Sequence, residues 1–221
     1  MKRQQVQRFV TVLLRWHKSN ARSFPWRQTQ DPYSILVAEL FLQRTRAEQV
    51  VPVYERFISQ FPTGRRVPTL RRLRAIIKSL GLPSRAKRIY RILCRLRNDY
   101  NGDVPADRLA LETVLGGAHN YVRDAVLLYA FNYPSAPVDR TVARVIARIF
   151  LGANPKASKP HTDRTIVTLA KHLVPTENAR SYNLALLDFA ALICTPKPKC
   201  NICPMTSFCK YFIRETLIQS E

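Results

Sequence analysis

The segment from Leu111 to Phe150, LETVLGGAHNYVRDAVLLYAFNYPSAPVDRTVARVIARIF, constrains the fold more than any other part of the chain. An apolar pattern through Leu109, Leu111, Val114 and Leu115 is interrupted by Gly116-Gly117. From Tyr121 to Phe131 the chain is then nearly all apolar, the pattern of a helix buried on most sides. After Pro134 and Pro137, Asp139 stands directly before a further run with Val142, Val145, Ile146, Ile149 and Phe150 on one face. The order is therefore helix, glycine turn, buried helix, and a helix headed by a carboxylate. Amides at the glycine turn and at the start of the next helix are predicted to point outward as a phosphate site. The commonest role of an aspartate so placed is an N-cap, and a Gly-Gly pair between helices commonly does no more than end the first one.

The remaining segments repeat the helical period. Val6, Phe9, Val10, Leu13 and Leu14 predict a helix over about 4–18. Asp31-Pro32 is an N-cap followed by proline at the first helical position. The run YSILVAELFLQRT behind it is apolar almost throughout except for Glu39. A carboxylate inside such a run must be paired, hydrogen-bonded or facing a cavity, unless it lies on an exposed helix edge. Further helices are marked by Val50 to Phe61, by Leu70 to Leu80 with Gly81 closing, and by Ile89, Ile92, Leu93 and Leu96. Others follow across Ile166 to Leu173 and Tyr182 to Ile193. No stretch alternates as a strand, so the expected class is all-α.

Composition matters chiefly through charge. The 221 residues carry 36 Lys and Arg against 15 Asp and Glu, a formal net charge of +21. A globular chain this basic repels itself unless a polyanion is near, which makes nucleic acid the expected partner. Arg85, Lys87, Arg88, Arg91, Arg95 and Arg97 crowd the start and the expected exposed sides of one helix, a candidate nucleic-acid-facing surface. No apolar run reaches the length of a membrane span, and the N-terminus lacks an apolar signal core. The expected setting is cytoplasmic, associated with the nucleoid.

Cys194, Cys200, Cys203 and Cys209 form C-x5-C-x2-C-x5-C. In a reducing compartment four clustered thiols suggest a metal rather than disulfides. Four-cysteine zinc sites usually come as two separated close pairs. One close pair flanked by a cysteine on either side suits a 4Fe–4S cube better, with zinc the alternative. His17, His119, His161 and His172 show no metal spacing with one another. Lys197, Lys199 and Lys210 around the loop suggest that it also meets phosphate.

In this order, Phe24-Pro25-Trp26-Arg27, Asp31-Pro32-Tyr33, Glu39, Leu42-Gln43-Arg44-Thr45, the glycine hairpin, Val138-Asp139 and LLDFAALIC before the cysteine loop resemble the helix-hairpin-helix iron–sulfur DNA glycosylases. That is the superfamily of endonuclease III and MutY, and the chain looks closest to its Mig-type thymine mismatch glycosylases. The resemblance covers nearly the whole chain. It implies a six-helix domain over residues 29–133. Residues 1–28 would join 134–221 in a second helical domain bearing the cluster, with DNA across the cleft between the two. It also implies Asp139 as the catalytic aspartate, Glu39 as a pocket acid, and Tyr121 at the position where endonuclease III carries its lysine nucleophile. Gln43 and Arg44 match residues that fill the gap left by a flipped base. Leu82 lies in a second wedge loop, and Gly117 and His119 belong to the hairpin that holds DNA phosphate. Where the family hairpin reads roughly L-P-G-V-G, this chain has Leu115-Gly116-Gly117-Ala118-His119, and Thr141 stands where Mig-type and MutY enzymes carry Asn. The first cysteine interval is one residue shorter than the family's usual six.

The function these features predict is a monofunctional, monomeric DNA glycosylase acting on double-stranded DNA, with thymine or uracil opposite guanine favoured as the base removed. A phenol at Tyr121 offers no amine for a Schiff base, so no strand-cleaving lyase step is expected. A MutY-like adenine glycosylase is the alternative. Non-catalytic readings are a DNA-binding relative weakened by His119 and Thr141, and a zinc-bearing adaptor.

Overall fold

The computed structural model describes residues 3–81, 84–117, 120–155 and 159–219. Among these the ordered elements are helical, with no strand, and they divide into two compact units. One unit comprises residues 23–133. The other joins residues 1–22 to 134–221.

The unit of residues 23–133 is built around helix α2 (Pro32–Leu42), of which nine residues, Tyr33 to Phe41, are buried. A helix that is apolar on every side has to be wrapped by others. Helix α3 (Ala47–Gln60) packs on it through the edge-to-face pair Phe41–Phe57, with ring centroids 5.3 Å apart. Asp31 caps α2, accepting from the amide of Ser34 at 2.8 Å, and Pro32 takes the first turn, where no donor is missed. Phe24 stacks on Trp26, which packs edge-to-face on Tyr54, so these residues belong with α2 and α3. Helices α4 (Leu70–Ile76) and α5 (Ser84–Tyr100) follow, α5 burying Ile89, Ile92, Leu93 and Leu96 along one stripe. Helix α6 (Arg108–Leu115) buries Leu111, Val114 and Leu115, and α7 (Asn120–Phe131) packs against α2. Leu109, read as part of that apolar pattern, is 73 % exposed. It stands in the first turn of a short helix whose buried stripe begins at Leu111.

In the second unit α1 (Arg3–Lys18) packs on α10 (Ala179–Leu192) through Trp16 and Phe189, and Phe9 meets Tyr182 and Phe150 edge-on. Helix α8 (Arg140–Ile146) continues as a π-turn over Ala147–Leu151 and then stops at Gly152. Helix α9 (Arg164–Leu173) covers α8, and α11 (Lys210–Gln219) packs on the π-turn. Asp188, fully buried in α10, accepts from the amide of Arg22 at 3.0 Å, from its Nε at 2.7 Å and from Nε2 of His17 at 3.0 Å. This carboxylate ties the end of the N-terminal segment to α10. Within LLDFAALIC it is the one charged residue, and the apolar residues around it would not tolerate it unpaired.

Candidate active site and cysteine pocket

Asp139 heads α8 with extended backbone. Its Oδ1 accepts from the amides of Thr141 at 2.8 Å and Val142 at 2.7 Å, and from the Thr141 hydroxyl at 2.8 Å. Its Oδ2 meets only that same hydroxyl, at 3.0 Å, among the described residues. One oxygen is therefore saturated as an N-cap while the other keeps most of its accepting capacity. Asp139 as a whole is half-buried. Thr141 donates its hydroxyl to this carboxylate, as a residue that orients it would.

Glu39, Gln43, Arg44 and Tyr121 belong to the unit of residues 23–133. Glu39 is buried in α2, and Tyr121 is half-buried in the first turn of α7, so both lie on the helix pair that packs at the centre of that unit. Asp139 belongs to the other unit. Gln43 and Arg44 form the turn that leaves α2, Arg44 exposed and Gln43 half-buried. Gln43 Oε1 accepts from Arg88, and its Nε2 is buried with no partner among the described residues. Leu82 and His119 lie outside the described residues.

The glycine turn departs from expectation. Gly116, at φ +78°, ends α6 in the left-handed conformation, and its amide donates to Glu112 at 3.0 Å and to Thr113 at 3.2 Å. The amide of Gly117, at φ +82°, donates to the Glu112 carbonyl at 3.1 Å. These are the bonds of a Schellman cap, in which the helix's last carbonyls take up the amides that follow. Both glycine amides are thus used inside the turn and do not face outward as a phosphate site. Arg95 adds a lid to the same helix end, donating to the Thr113 carbonyl at 3.3 Å. A Cβ on Gly116 would come within 2.9 Å of the Arg95 guanidinium.

Sequence reasoning also placed Arg85 on an exposed charged side of its helix. It is 3 % exposed, and its fork donates to the carbonyls of Phe41 and Gln43 and to the Thr45 hydroxyl. Position along α5 could have signalled this, since Arg85 lies four residues before Ile89 and so on the same face.

Cys194, Cys200, Cys203 and Cys209 are free thiols and line one pocket, together with Ile149, Phe189, Ile193, Phe212 and Arg148. The pocket is partly open to solvent. Burial pushes the thiols of Cys200, Cys203 and Cys209 above their ordinary range, Cys203 up to about 11. Backbone amides of Met205, Tyr211 and Phe212 act in the opposite sense on Cys203 and Cys209, favouring the thiolate. Arg148, 3 % exposed and unannounced by the sequence pattern, places Nη1 3.5 Å from Cys194 Sγ and anchors the loop through the carbonyls of Thr195 at 2.6 Å and Pro196 at 2.8 Å. From α8, Arg144 donates to the carbonyls of Cys194 at 2.9 Å and Ala190 at 3.0 Å. Among the described residues no three His, Cys, Asp or Glu side chains gather closely enough to hold a single metal ion.

Comparison with known proteins places this arrangement among relatives. The chain is 37% identical over 207 residues to the thymine/uracil-DNA glycosylase of Pyrobaculum aerophilum, an alignment covering 90% of this chain and 89% of that one. The adenine DNA glycosylase of Mycobacterium tuberculosis is 34% identical over 204 residues, covering 88% of this chain and 65% of the relative. Among solved structures, a thermostable thymine-DNA glycosylase superposes with a TM-score of 0.86 at 34% identity, covering 96% of this chain and 98% of that one. The profile of the HhH-GPD superfamily matches residues 37–172. A chain matched this broadly belongs to the HhH-GPD superfamily of base excision DNA repair proteins.

Proposed function

We propose that the protein is a monofunctional DNA glycosylase that removes thymine or uracil opposite guanine from double-stranded DNA. The observation that carries the reading is the divided carboxylate of Asp139, one oxygen held by the helix cap and the other left for a substrate. A base inside a duplex must be extruded before its bond to the sugar can be reached, and a mismatch lowers that cost. Cleavage leaves positive charge on the sugar. Asp139 stabilises that cation and orients the attacking water, Thr141 holds the carboxylate in place, and Glu39 supplies a proton to the departing base. Relatives named thymine/uracil-DNA glycosylases, aligned over nearly their whole length, support the choice of base.

Tyr121 has no amine with which to form a Schiff base, so the base leaves without strand cleavage. Single-turnover assays on T:G, U:G and A:G duplexes test the whole reading. The expected result is alkali-labile sites from T:G and U:G and no covalent adduct on borohydride treatment. Release from A:G alone would favour the second reading, an adenine glycosylase. The likeness to adenine DNA glycosylases, which covers 88% of this chain, speaks for that alternative.

The four thiols fit a 4Fe–4S cluster. They are unpaired, share one apolar pocket, and face Arg148 and amides that offset thiolate charge. Cys194, Cys200, Cys203 and Cys209 would hold it. When bound, it supplies covalent links between the end of α10 and the start of α11. Protein purified without air should contain about four irons and four sulfides per chain. Zinc in equal amount to protein, with no sulfide, would overturn the assignment.

A further inference from the structure

The turn that ends α2 carries a strained residue held by a buried cation. The Thr45 amide donates to the Leu42 carbonyl at 3.1 Å, closing a four-residue turn with Gln43 at φ −58°, ψ 113° and Arg44 at φ +57°. This is type II geometry, whose third position belongs to glycine or asparagine because other side chains crowd the backbone there. An arginine stands in it, so something else must hold the turn. The neighbouring contacts identify what does. Arg85 donates through Nη1 to the Phe41 carbonyl at 3.1 Å and the Thr45 hydroxyl at 3.0 Å, and through Nη2 to the Gln43 carbonyl. Those three oxygens bracket Arg44 on both sides. Arg88 ties down the Gln43 side chain, and Thr45 also reaches the Leu80 carbonyl at 3.4 Å.

Arg85 pairs with no carboxylate among the described residues, while Arg44 and Arg88 crowd it with like charge. Burying a guanidinium this way is unfavourable for the fold alone. Its planar fork gives the matching return, since a point charge could not meet three oxygens in fixed directions.

We infer that Arg85 is a positioning residue that holds Arg44 in its left-handed conformation, so that the Arg44 side chain stands ready at the turn's apex to fill the space a base vacates. The inference rests on the base-extruding function proposed above and adds a mechanism to it. Gln43 is fastened inward, and the exposed Arg44 is the side chain on offer. Without the clamp the turn relaxes toward ordinary φ, and Arg44 is presented in a fraction of molecules.

The test compares affinity for a duplex containing a tetrahydrofuran abasic analogue opposite guanine with affinity for the fully paired duplex of the same length. Arg85→Lys keeps the charge and removes the fork. It should lower the gap-to-paired preference about tenfold, as expected when the competent turn falls to roughly one molecule in ten. Paired-duplex affinity should stay unchanged. Arg44→Gly, which suits the positive φ, should lower the preference comparably. The double variant should fall no further than Arg44→Gly alone. Thr45→Val removes one of the three acceptors and leaves the guanidinium in place, so it serves if Arg85→Lys does not fold; about a threefold loss is expected. An unchanged preference in a folded variant, equal losses on both duplexes, or additive losses in the double variant would each overturn the clamp. Gap binding requires no base release. A clamp-dependent preference in a chain that excises nothing would therefore sustain this inference while defeating the proposed reaction.

Discussion

At the scale of single residues, Asp139 shows how one carboxylate serves structure and chemistry together. Its Oδ1 holds the first turn of α8, a role that an asparagine oxygen could fill equally well. Its Oδ2 keeps the charge that the proposed cation requires. Asp139→Asn should therefore leave the melting temperature and affinity for mismatched DNA close to the parent's, because phosphate contacts carry most of that affinity. Base release should slow by about a hundredfold or more, the usual result of losing one preorganised electrostatic contact. Single-turnover rates measure this directly, and release at the parent rate would leave Asp139 a helix cap and nothing more. Thr141 belongs to the same account. It departs from the family's asparagine, yet its hydroxyl reaches both carboxylate oxygens, which weighs against the reading that this change weakens the enzyme.

At the scale of elements, the N-terminal helix is held to the rest of its unit by a carboxylate latch. Asp188 is fully buried, and of its partners the Arg22 side chain is 25% exposed and His17 16% exposed. Removing one partner of a buried pair is costly because the charge left behind cannot find water. Arg22→Ala takes away the guanidinium while the backbone amide of residue 22 and His17 remain. It is expected to destabilise this unit by about 3 kcal/mol, the low end for a broken buried pair. Hydrogen exchange should report the loss first in α1 and in the part of α10 around Asp188. Exchange unchanged in α1 would mean that packing of Phe9, Leu13 and Trp16 holds the helix without the latch.

At the scale of the whole molecule, the excess of basic residues sets how DNA binding responds to salt. Each phosphate neutralised releases condensed counterions, so the logarithm of affinity should fall by about 0.9 per phosphate contact for each decade of salt. With a net charge of +21, a steep line is expected for paired and mismatched duplexes alike. The difference between the two should be nearly independent of salt, because it comes from extrusion and from filling the gap. Parallel lines in a titration from low to moderate salt are the expected outcome. A mismatch preference that vanished with salt would place specificity in the charged surface instead.

Helix period, proline and aspartate start signals, glycine stops and the cysteine spacing are local properties of the chain, and they were sufficient for the all-α class, the N-caps at Asp31 and Asp139, and the candidate cysteine set. Tertiary structure decided what depends on a partner distant in sequence. Arg85 and Lys87 look alike in the sequence, yet Arg85 is buried on three oxygens of a turn some forty residues away while Lys87 stays exposed. Gly116 and Gly117 read as free amides, but the carbonyls of α6 claim them both. Leu109 counts as apolar in any pattern, and only the way α6 packs shows that it points to water. In each case the deciding term is desolvation or a directional hydrogen bond, and its sign depends on which neighbour the fold brings within about 3 Å.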